Sequence, residues 1–125
     1  GHEAGQSMNS NSNVVVGHQS GLGIVNGQFN VAVGDGTMTQ GVIGSNNVAI
    51  GREAYFNGTG SGNTCIGFNA GRINGALENS TSIGNGAQAA GSNQIQLGNA
   101  LITQVTTSGS VTAFSFISSM FLLLF

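Results

Sequence analysis

The sequence predicts an all-β fold, a parallel β-roll in which coils of 16–17 residues stack into a solenoid. A five-residue unit typified by Asn47-Val48-Ala49-Ile50-Gly51 recurs along the chain, and the glycines at this phase are separated by 16, 17, 17, 16, 17 and 14 residues. Such a period is the signature of a solenoid, because one repeat cannot bury its own apolar face and must stack on its neighbours. The 22 glycines and the 5% content of charged residues also differ from those of an ordinary globular domain.

Each copy of the unit predicts a short strand with one apolar face. One place before the repeat glycine stand the branched residues Val16, Val33, Ile50, Ile66, Ile83 and Leu97. The residue before each of these is mostly small, as at Ala32, Ala49 and Cys65. Because successive side chains of a strand point to opposite faces, the small column predicts a narrow interior. The branched column must then be covered outside the coil, and we expect the roll to associate with other copies of itself.

Two further columns are expected to join one coil to the next. The repeat glycines stand where the backbone needs a positive φ or a close approach to the neighbouring coil, and they are Gly17, Gly34, Gly51, Gly67, Gly84 and Gly98. The asparagines before the strands can form a ladder of side-chain amides, and they are Asn13, Asn30, Asn47 and Asn63. The second half of each coil is more variable, and residues such as Ile24, Val25, Val42, Ile43 and Ile73 favour a short return strand there.

The residues that follow the repeat glycines are polar and variable, as is typical of an outward-facing turn. His18, Asp35, Arg52 and Phe68 form a candidate recognition column, in which an exposed ion pair between Asp35 and Arg52 would contribute at most about 1 kcal/mol. His2 shares this column with His18, which leaves a metal site open. No cluster of carboxylates or cysteines at ligand spacing is evident beside them, so the sequence predicts neither a metal nor a cofactor.

The repeat pattern divides the chain into three segments. Residues 1–98 are the β-roll repeats, residues 99–113 a Thr-rich neck or cap, and residues 114–125 an apolar segment. Twelve residues are too few for a transmembrane helix, which needs about 20. Nucleic-acid binding is excluded because the chain has two arginines, no lysine and a net charge of −2. Cys65 is the only cysteine, which excludes an intrachain disulfide and favours a small buried residue.

The Asn-Val-Ala-Ile-Gly copies resemble the head repeats of trimeric autotransporter adhesins and the repeats of bacteriophage tail-fibre proteins. The resemblance covers residues 1–100, and the stretch Ser92–Ala100 with the Thr-rich segment after it is more similar to the fibre proteins. It implies a left-handed parallel β-roll that assembles as a homotrimer. It also implies an extracellular fibre, on a virion or on the bacterial surface, with a structural or adhesive function and a glycan or protein receptor.

Two alternatives to this function stay open. The chain could form a self-assembling extracellular structural filament, whose units are joined by the apolar segment 114–125. A left-handed β-helix acyltransferase also shows aliphatic residues followed by glycine, but it requires an aliphatic residue at every sixth position. Steps of six from Val33 reach Thr39 and Ser45, so we expect no enzyme.

Overall fold

The computed structural model describes residues 1–41, 44–72 and 75–112, which form a parallel β-solenoid of about five turns. Each coil contributes one strand of three residues. The strands are β1 (Val14–Val16), β2 (Val31–Val33), β3 (Val48–Ile50), β4 (Thr64–Ile66), β5 (Thr81–Ile83) and β6 (Ile95–Leu97). They lie in chain order in one six-stranded sheet, and every neighbouring pair is parallel. The described residues contain no helix, which confirms the all-β class.

Equivalent positions of successive coils lie directly above one another. Ala49 pairs with Ala32 on one side and with Cys65 on the other. This register continues beyond the strands, because the backbone N–H of Glu53 donates to the carbonyl of Asp35 over 2.9 Å in the adjacent turn. The columns that the sequence predicts are therefore columns of the folded molecule.

The interior of the roll is narrow because small side chains fill it from two sides. The middle residues of the strands point inward, and Ala32 and Ala49 are fully buried. A second inward column lies three places after the repeat glycine, where Ser20, Thr37, Ala54, Ala70 and Ala87 are also fully buried. These two columns produce the flattened coil that their small residues predict.

Larger interior side chains occupy a third position, four places after the repeat glycine. Met38 and Tyr55 stand there, and both are buried in the same cluster as Ala32 and Ala49. Each of these coils thus combines one large inward residue with one small inward residue. The volume inside the coil stays nearly constant, as close packing requires.

The same third position becomes glycine where the strand residue is larger. In the coils whose strands carry Val15 and Cys65, it is Gly21 and Gly71. A Cβ added to Gly21 would overlap the Val15 side chain, and one added to Gly71 would overlap the Cys65 sulfur. A larger residue in the middle of the strand is matched by a smaller one four places after the repeat glycine, and the reverse. This compensation explains why neither column is uniform in the sequence.

The return side of the coil differs from the sequence prediction of a short second strand. Among the described residues no strand lies there, and an isolated parallel bridge joins Gly58 to Gly75. Serine hydroxyls join these coils beside backbone carbonyls. The N–H of Gln28 donates to Ser45 Oγ and the N–H of Ser45 to Ser61 Oγ, while the N–H of Asn46 donates to the carbonyl of Gln28. Outside the described residues lie Val42, Ile43 and Ile73.

Beyond the last strand, residues 99–112 are mostly exposed and form no regular secondary structure. Asn99 joins the start of this segment to the roll, because its side-chain amide donates to the carbonyl of Asn85 over 2.9 Å. Within the described ranges no helix is long and apolar enough to cross a membrane. Residue 113 and the apolar segment 114–125 lie outside those ranges.

Ala49→Leu should destabilise the roll by about 1–3 kcal/mol, because Tyr55 already fills that coil and the added methylenes have no space. Asn85→Leu is the matched control, since Asn85 is exposed at a turn and lies outside the apolar face. Chemical denaturation followed by circular dichroism measures both changes. Equal losses in the two variants would contradict the inward orientation of Ala49.

Candidate functional site

The branched residues of the strands lie on the outer face of the sheet. Val16 is 54% exposed and Ile50 40% exposed, whereas the residues between the two outward columns are buried in β2 to β5. The members of the column nearest the glycines are all exposed or half-buried, and they are Val16, Val33, Ile50, Ile66, Ile83 and Leu97. We call this surface, together with the column two places before it, the apolar face.

The apolar face is unusual for a parallel sheet. Parallel sheets are normally covered on both faces, and their strands carry apolar residues on both sides for that reason. Here one side is covered by the interior of the roll, and the other carries valine, isoleucine and leucine toward solvent along six strands. A contiguous apolar stripe of this kind typically marks an interaction surface.

A ladder of buried amides runs along the asparagine column. Asn30 and Asn47 are fully buried, and Asn63 is nearly so. In each step the Oδ1 atom of one asparagine accepts two hydrogen bonds from the next, one from its backbone N–H and one from its side-chain Nδ2. The distances from Asn47 to Asn30 Oδ1 are 2.9 and 3.1 Å, and those from Asn63 to Asn47 Oδ1 are 2.9 and 3.2 Å.

The second proton of each side-chain amide satisfies a backbone carbonyl on the return side. Asn30 donates to the carbonyl of Gly44 over 3.0 Å, and Asn47 donates to that of Gly60 over 3.0 Å. Each asparagine thus joins two coils and also closes its own coil across the interior. The ladder ends at Ser80, whose backbone N–H and hydroxyl both donate to Asn63 Oδ1.

Tyr55 extends the ladder into the interior. Its hydroxyl donates to the carbonyl of Gly60 over 3.0 Å and accepts a hydrogen bond from Asn63 Nδ2 over 2.9 Å. Burial raises the pKa of Tyr55 to about 12, although the bond from Asn63 acts in the opposite direction. The phenol therefore stays protonated and keeps its donor role. The sequence gives little sign of this role, because no other coil has a tyrosine.

The repeat glycines combine a positive φ with a close approach between coils, as the sequence predicts. Gly51 has a φ of 130°, and a Cβ at this position would lie 2.5 Å from the carbonyl oxygen of Gly67 in the next coil. An L-residue would be strained by the first condition and would clash by the second. The glycine column therefore permits the close stacking of successive turns.

The candidate recognition column forms a continuous chain of contacts on the outside of the turns. His18 Nδ1 lies 2.7 Å from Asp35 Oδ1, and Asp35 Oδ2 lies 3.5 Å from Arg52 Nε. The Arg52 guanidinium in turn lies over the ring of Phe68, with 5.7 Å between its Cζ atom and the ring centroid. The ion pair expected between Asp35 and Arg52 is present.

Glu53, Arg72 and Phe56 widen this column. Glu53 accepts from Arg52 over 3.1 Å and from Arg72 over 3.3 Å, and the Arg72 guanidinium lies 4.9 Å from the ring centroid of Phe56. We call the surface formed by these residues and the recognition column the turn edge. The ion pairs of Asp35 are exposed and each contributes at most about 1 kcal/mol, whereas the Glu53 side chain is only 23% exposed.

The turn edge collects nearly all the charge of the chain. Five of the chain's six acidic residues and arginines lie there, if Glu3 is included because it occupies the same repeat position as Glu53. The sixth, Glu78, stands elsewhere. Repeat alignment could have found Glu53 from the sequence, because it follows Arg52 on the same turn. Arg72 carries no such signal, since it reaches Glu53 from the coil that follows.

The interior offers little room for chemistry. Cys65 is buried, and burial raises the pKa of its thiol to about 12, so the nucleophilic thiolate is scarce at neutral pH. A cavity beside it, lined in part by Tyr55, Ser80 and Ser82, has a volume of about 10 Å³. That is room for roughly one water molecule.

Comparisons with known protein families, with curated proteins and with solved structures find no match to this chain. The function is therefore inferred from the apolar face, the amide ladder and the turn edge.

Asn47→Ala should destabilise the roll by about 2–4 kcal/mol, because it leaves the buried backbone N–H of Asn63 without its acceptor and removes one of the two hydrogen bonds to the carbonyl of Gly60. The matched control is Asn85→Ala at an exposed turn, where we expect a change below about 0.5 kcal/mol. Thermal and chemical unfolding measure both. A loss of similar size in the two variants would contradict the role of the ladder.

Proposed function

We propose that this chain is a non-catalytic segment of an extracellular fibre, which assembles as a homotrimer through the apolar face and presents the turn edge to a receptor. The observation that carries the proposal is the exposure of branched side chains along one whole face of a parallel sheet. Such a face needs a cover, and a second and third copy of the same chain supply one of matching length and chemistry.

The shape of the apolar face supports a cyclic assembly. Its two columns run along the axis of the solenoid, because the strands stack in register from β1 to β6. Copies placed side by side around an axis parallel to the roll can cover these columns over their full length. In a trimer each subunit contacts two neighbours, so the two columns can serve different neighbours. The resemblance to trimeric adhesin and tail-fibre repeats agrees with this arrangement.

The turn edge supports recognition as the outward function. It follows the apolar face directly across the repeat glycines, and in such a trimer its exposed side chains would remain accessible at the border of the interface. Arg52 and Phe68 provide a cation and an aromatic ring within one contact, and Asp35 and His18 add hydrogen-bonding groups beside them. Aromatic rings with adjacent polar side chains suit a glycan or a protein loop. A structural filament would use the same architecture. Binding of a receptor at the turn edge would distinguish the proposed function from that alternative.

The acyltransferase alternative has less support. Each coil of the described residues contains one three-residue strand, whereas the left-handed β-helix enzymes place three aliphatic positions in every coil. The titratable groups of the turn edge are tied to one another by ion pairs, and the interior cavity holds no more than about one water molecule.

The proposal predicts that the chain in solution has three times its 12.5 kDa mass, and that Ile50→Asp converts it into monomers. Ile50 is partly exposed in a single subunit, so an aspartate there is tolerated in a monomer. In the trimer the same carboxylate would be buried without a partner, at a cost of several kcal/mol, on the order of 3–5. Sedimentation equilibrium measures the mass of both proteins.

The control for this experiment is Asn85→Asp, which adds the same charge at an exposed turn and should leave the trimer intact. A monomeric wild-type chain would refute the assembly, and so would an Ile50→Asp variant that still forms trimers.

Replacing Phe68 by Ala and Arg52 by Gln together should lower binding to glycans or to receptor-bearing cells at least tenfold, because the pair supplies the ring and the cation of the turn edge. Glycan arrays and cell-binding assays with labelled protein provide the measurement. Gln28→Ala, an exposed change on the return side, is the control. If the wild-type chain binds no glycan and no cell surface, the filament function is favoured instead.

A further inference from the structure

Three side chains with metal-binding atoms meet at the first two turns of the solenoid. His2, Glu3 and His18 each offer one nitrogen or oxygen, and these three atoms all lie within 4.8 Å of one another. Two of the residues come from one turn and the third from the next, so the register of the coils brings them together. In the described part of the chain, this is the one group of three or more histidine, cysteine, aspartate or glutamate residues so arranged.

The two rings are already oriented with respect to each other. The imidazoles of His2 and His18 are stacked, with 5.8 Å between their centroids and an interplanar angle of 22°. His2 Nδ1 lies 3.8 Å from Glu3 Oε1, so the carboxylate reaches the edge of the first ring. The side chains are largely solvent-exposed, and small rotations about their χ angles can shorten these separations toward those of a coordinated ion.

A carboxylate in the following coil determines which nitrogen of His18 is free. Asp35 Oδ1 lies 2.7 Å from His18 Nδ1, and a carboxylate only accepts hydrogen bonds. The proton of neutral His18 is therefore on Nδ1, and Nε2 retains its lone pair. A metal-binding histidine characteristically donates its other ring N–H to a carboxylate in this way.

Glu3 is supported in the same manner. Its Oε2 atom accepts a hydrogen bond from Gln19 Nε2 over 2.8 Å, which leaves Oε1 free beside His2. Gln19 is held in turn, because its backbone N–H donates to the carbonyl of His2 over 2.9 Å. Two of the three candidate ligands, His18 and Glu3, thus have a hydrogen-bond partner that leaves one defined atom available to a metal ion.

We propose that His2, Glu3 and His18 bind a divalent first-row transition-metal ion such as Zn²⁺, and that Asp35 and Gln19 position two of these ligands. Imidazole nitrogen with one carboxylate oxygen is a donor set that suits Zn²⁺ and its neighbours in the series. Three protein ligands leave one position of a tetrahedral site for water. The ion joins the first two coils and stabilises that end of the roll, since it binds the folded arrangement more tightly than the unfolded chain. Zinc binding does not rest on the proposed receptor function, although His18 and Asp35 also belong to the turn edge.

The other charged cluster of the turn edge lacks these properties. Around Glu53 the partners are Arg52 and Arg72, whose guanidinium groups repel a cation and already occupy both carboxylate oxygens. Arg52 also contacts Asp35 Oδ2, which leaves Asp35 Oδ1 for His18. The arrangement of charge therefore separates a cation-binding end of the turn edge from an end occupied by arginines.

Titration of the full chain with ZnCl₂ in a calorimeter tests the site. We expect one ion per chain and a rise in the melting temperature with zinc concentration. His18→Gln should weaken binding at least 100-fold, and Asp35→Asn should weaken it 10- to 100-fold, as is usual for loss of an outer partner. Glu78→Gln removes the one carboxylate outside the turn edge and should leave binding unchanged.

His18 and Asp35 are the decisive positions, because His2 and Glu3 are adjacent in sequence and can hold zinc weakly without any fold. Unchanged affinity in the His18→Gln variant would overturn the proposal, as would the absence of binding at millimolar zinc. A stoichiometry of one ion per three chains would also overturn it, since the ion would then be shared between subunits. Circular dichroism of each variant confirms that the fold is retained.

Discussion

The structure depends on one acceptor atom per coil, the Oδ1 oxygen of the buried asparagine. By accepting from both the backbone and the side chain of the next asparagine, it fixes the height and the phase of one coil relative to the next. The glycine column can approach the following turn closely only because this phase is maintained. The strands, the turn edge and the apolar face are all aligned as a result, and each gains its continuity from the ladder.

The interior, the apolar face and the turn edge of each coil place different requirements on the residues that form them. The interior takes small side chains and one large one per coil where Met38 or Tyr55 is present, which excludes water and leaves little freedom for substitution. The apolar face needs only branched residues of similar length, and the turn edge needs only to remain polar. Because each coil contacts just its neighbours, the outer surfaces can vary without changing the fold. This separation suits a protein whose outer surfaces interact with partners.

The sequence predicted the solenoid, its strands and the asparagine and glycine columns well, because each of these depends on a condition repeated at every turn. Residues whose role depends on one coil alone were harder to predict. Tyr55 replaces a glycine or a methionine of other coils, and its link to Asn63 appears only when the coils are stacked. Glu3 was missed as a companion of the histidines, since its nearness to His18 arises from register rather than from spacing. No return strand forms at Ile24 and Val25, whereas Val42, Ile43 and Ile73 lie outside the described residues.

The end of the amide ladder at Ser80 has a mechanical consequence. In a solenoid pulled along its axis, the interfaces between coils carry the force in series, so the weakest one yields first. Between the coils of Ser80 and Gln94, the amide-to-amide hydrogen bond among the described residues is the exposed one from Asn79 Nδ2 to Asn93 Oδ1, since the Gln94 side chain accepts from Ala90 in its own coil. Under tension the roll would open at this interface, next to residues 99–112, while the coils joined by asparagine stay closed. The interface that follows Ser80 would therefore separate first, near one end of the rod, and the remaining coils would be protected from extension.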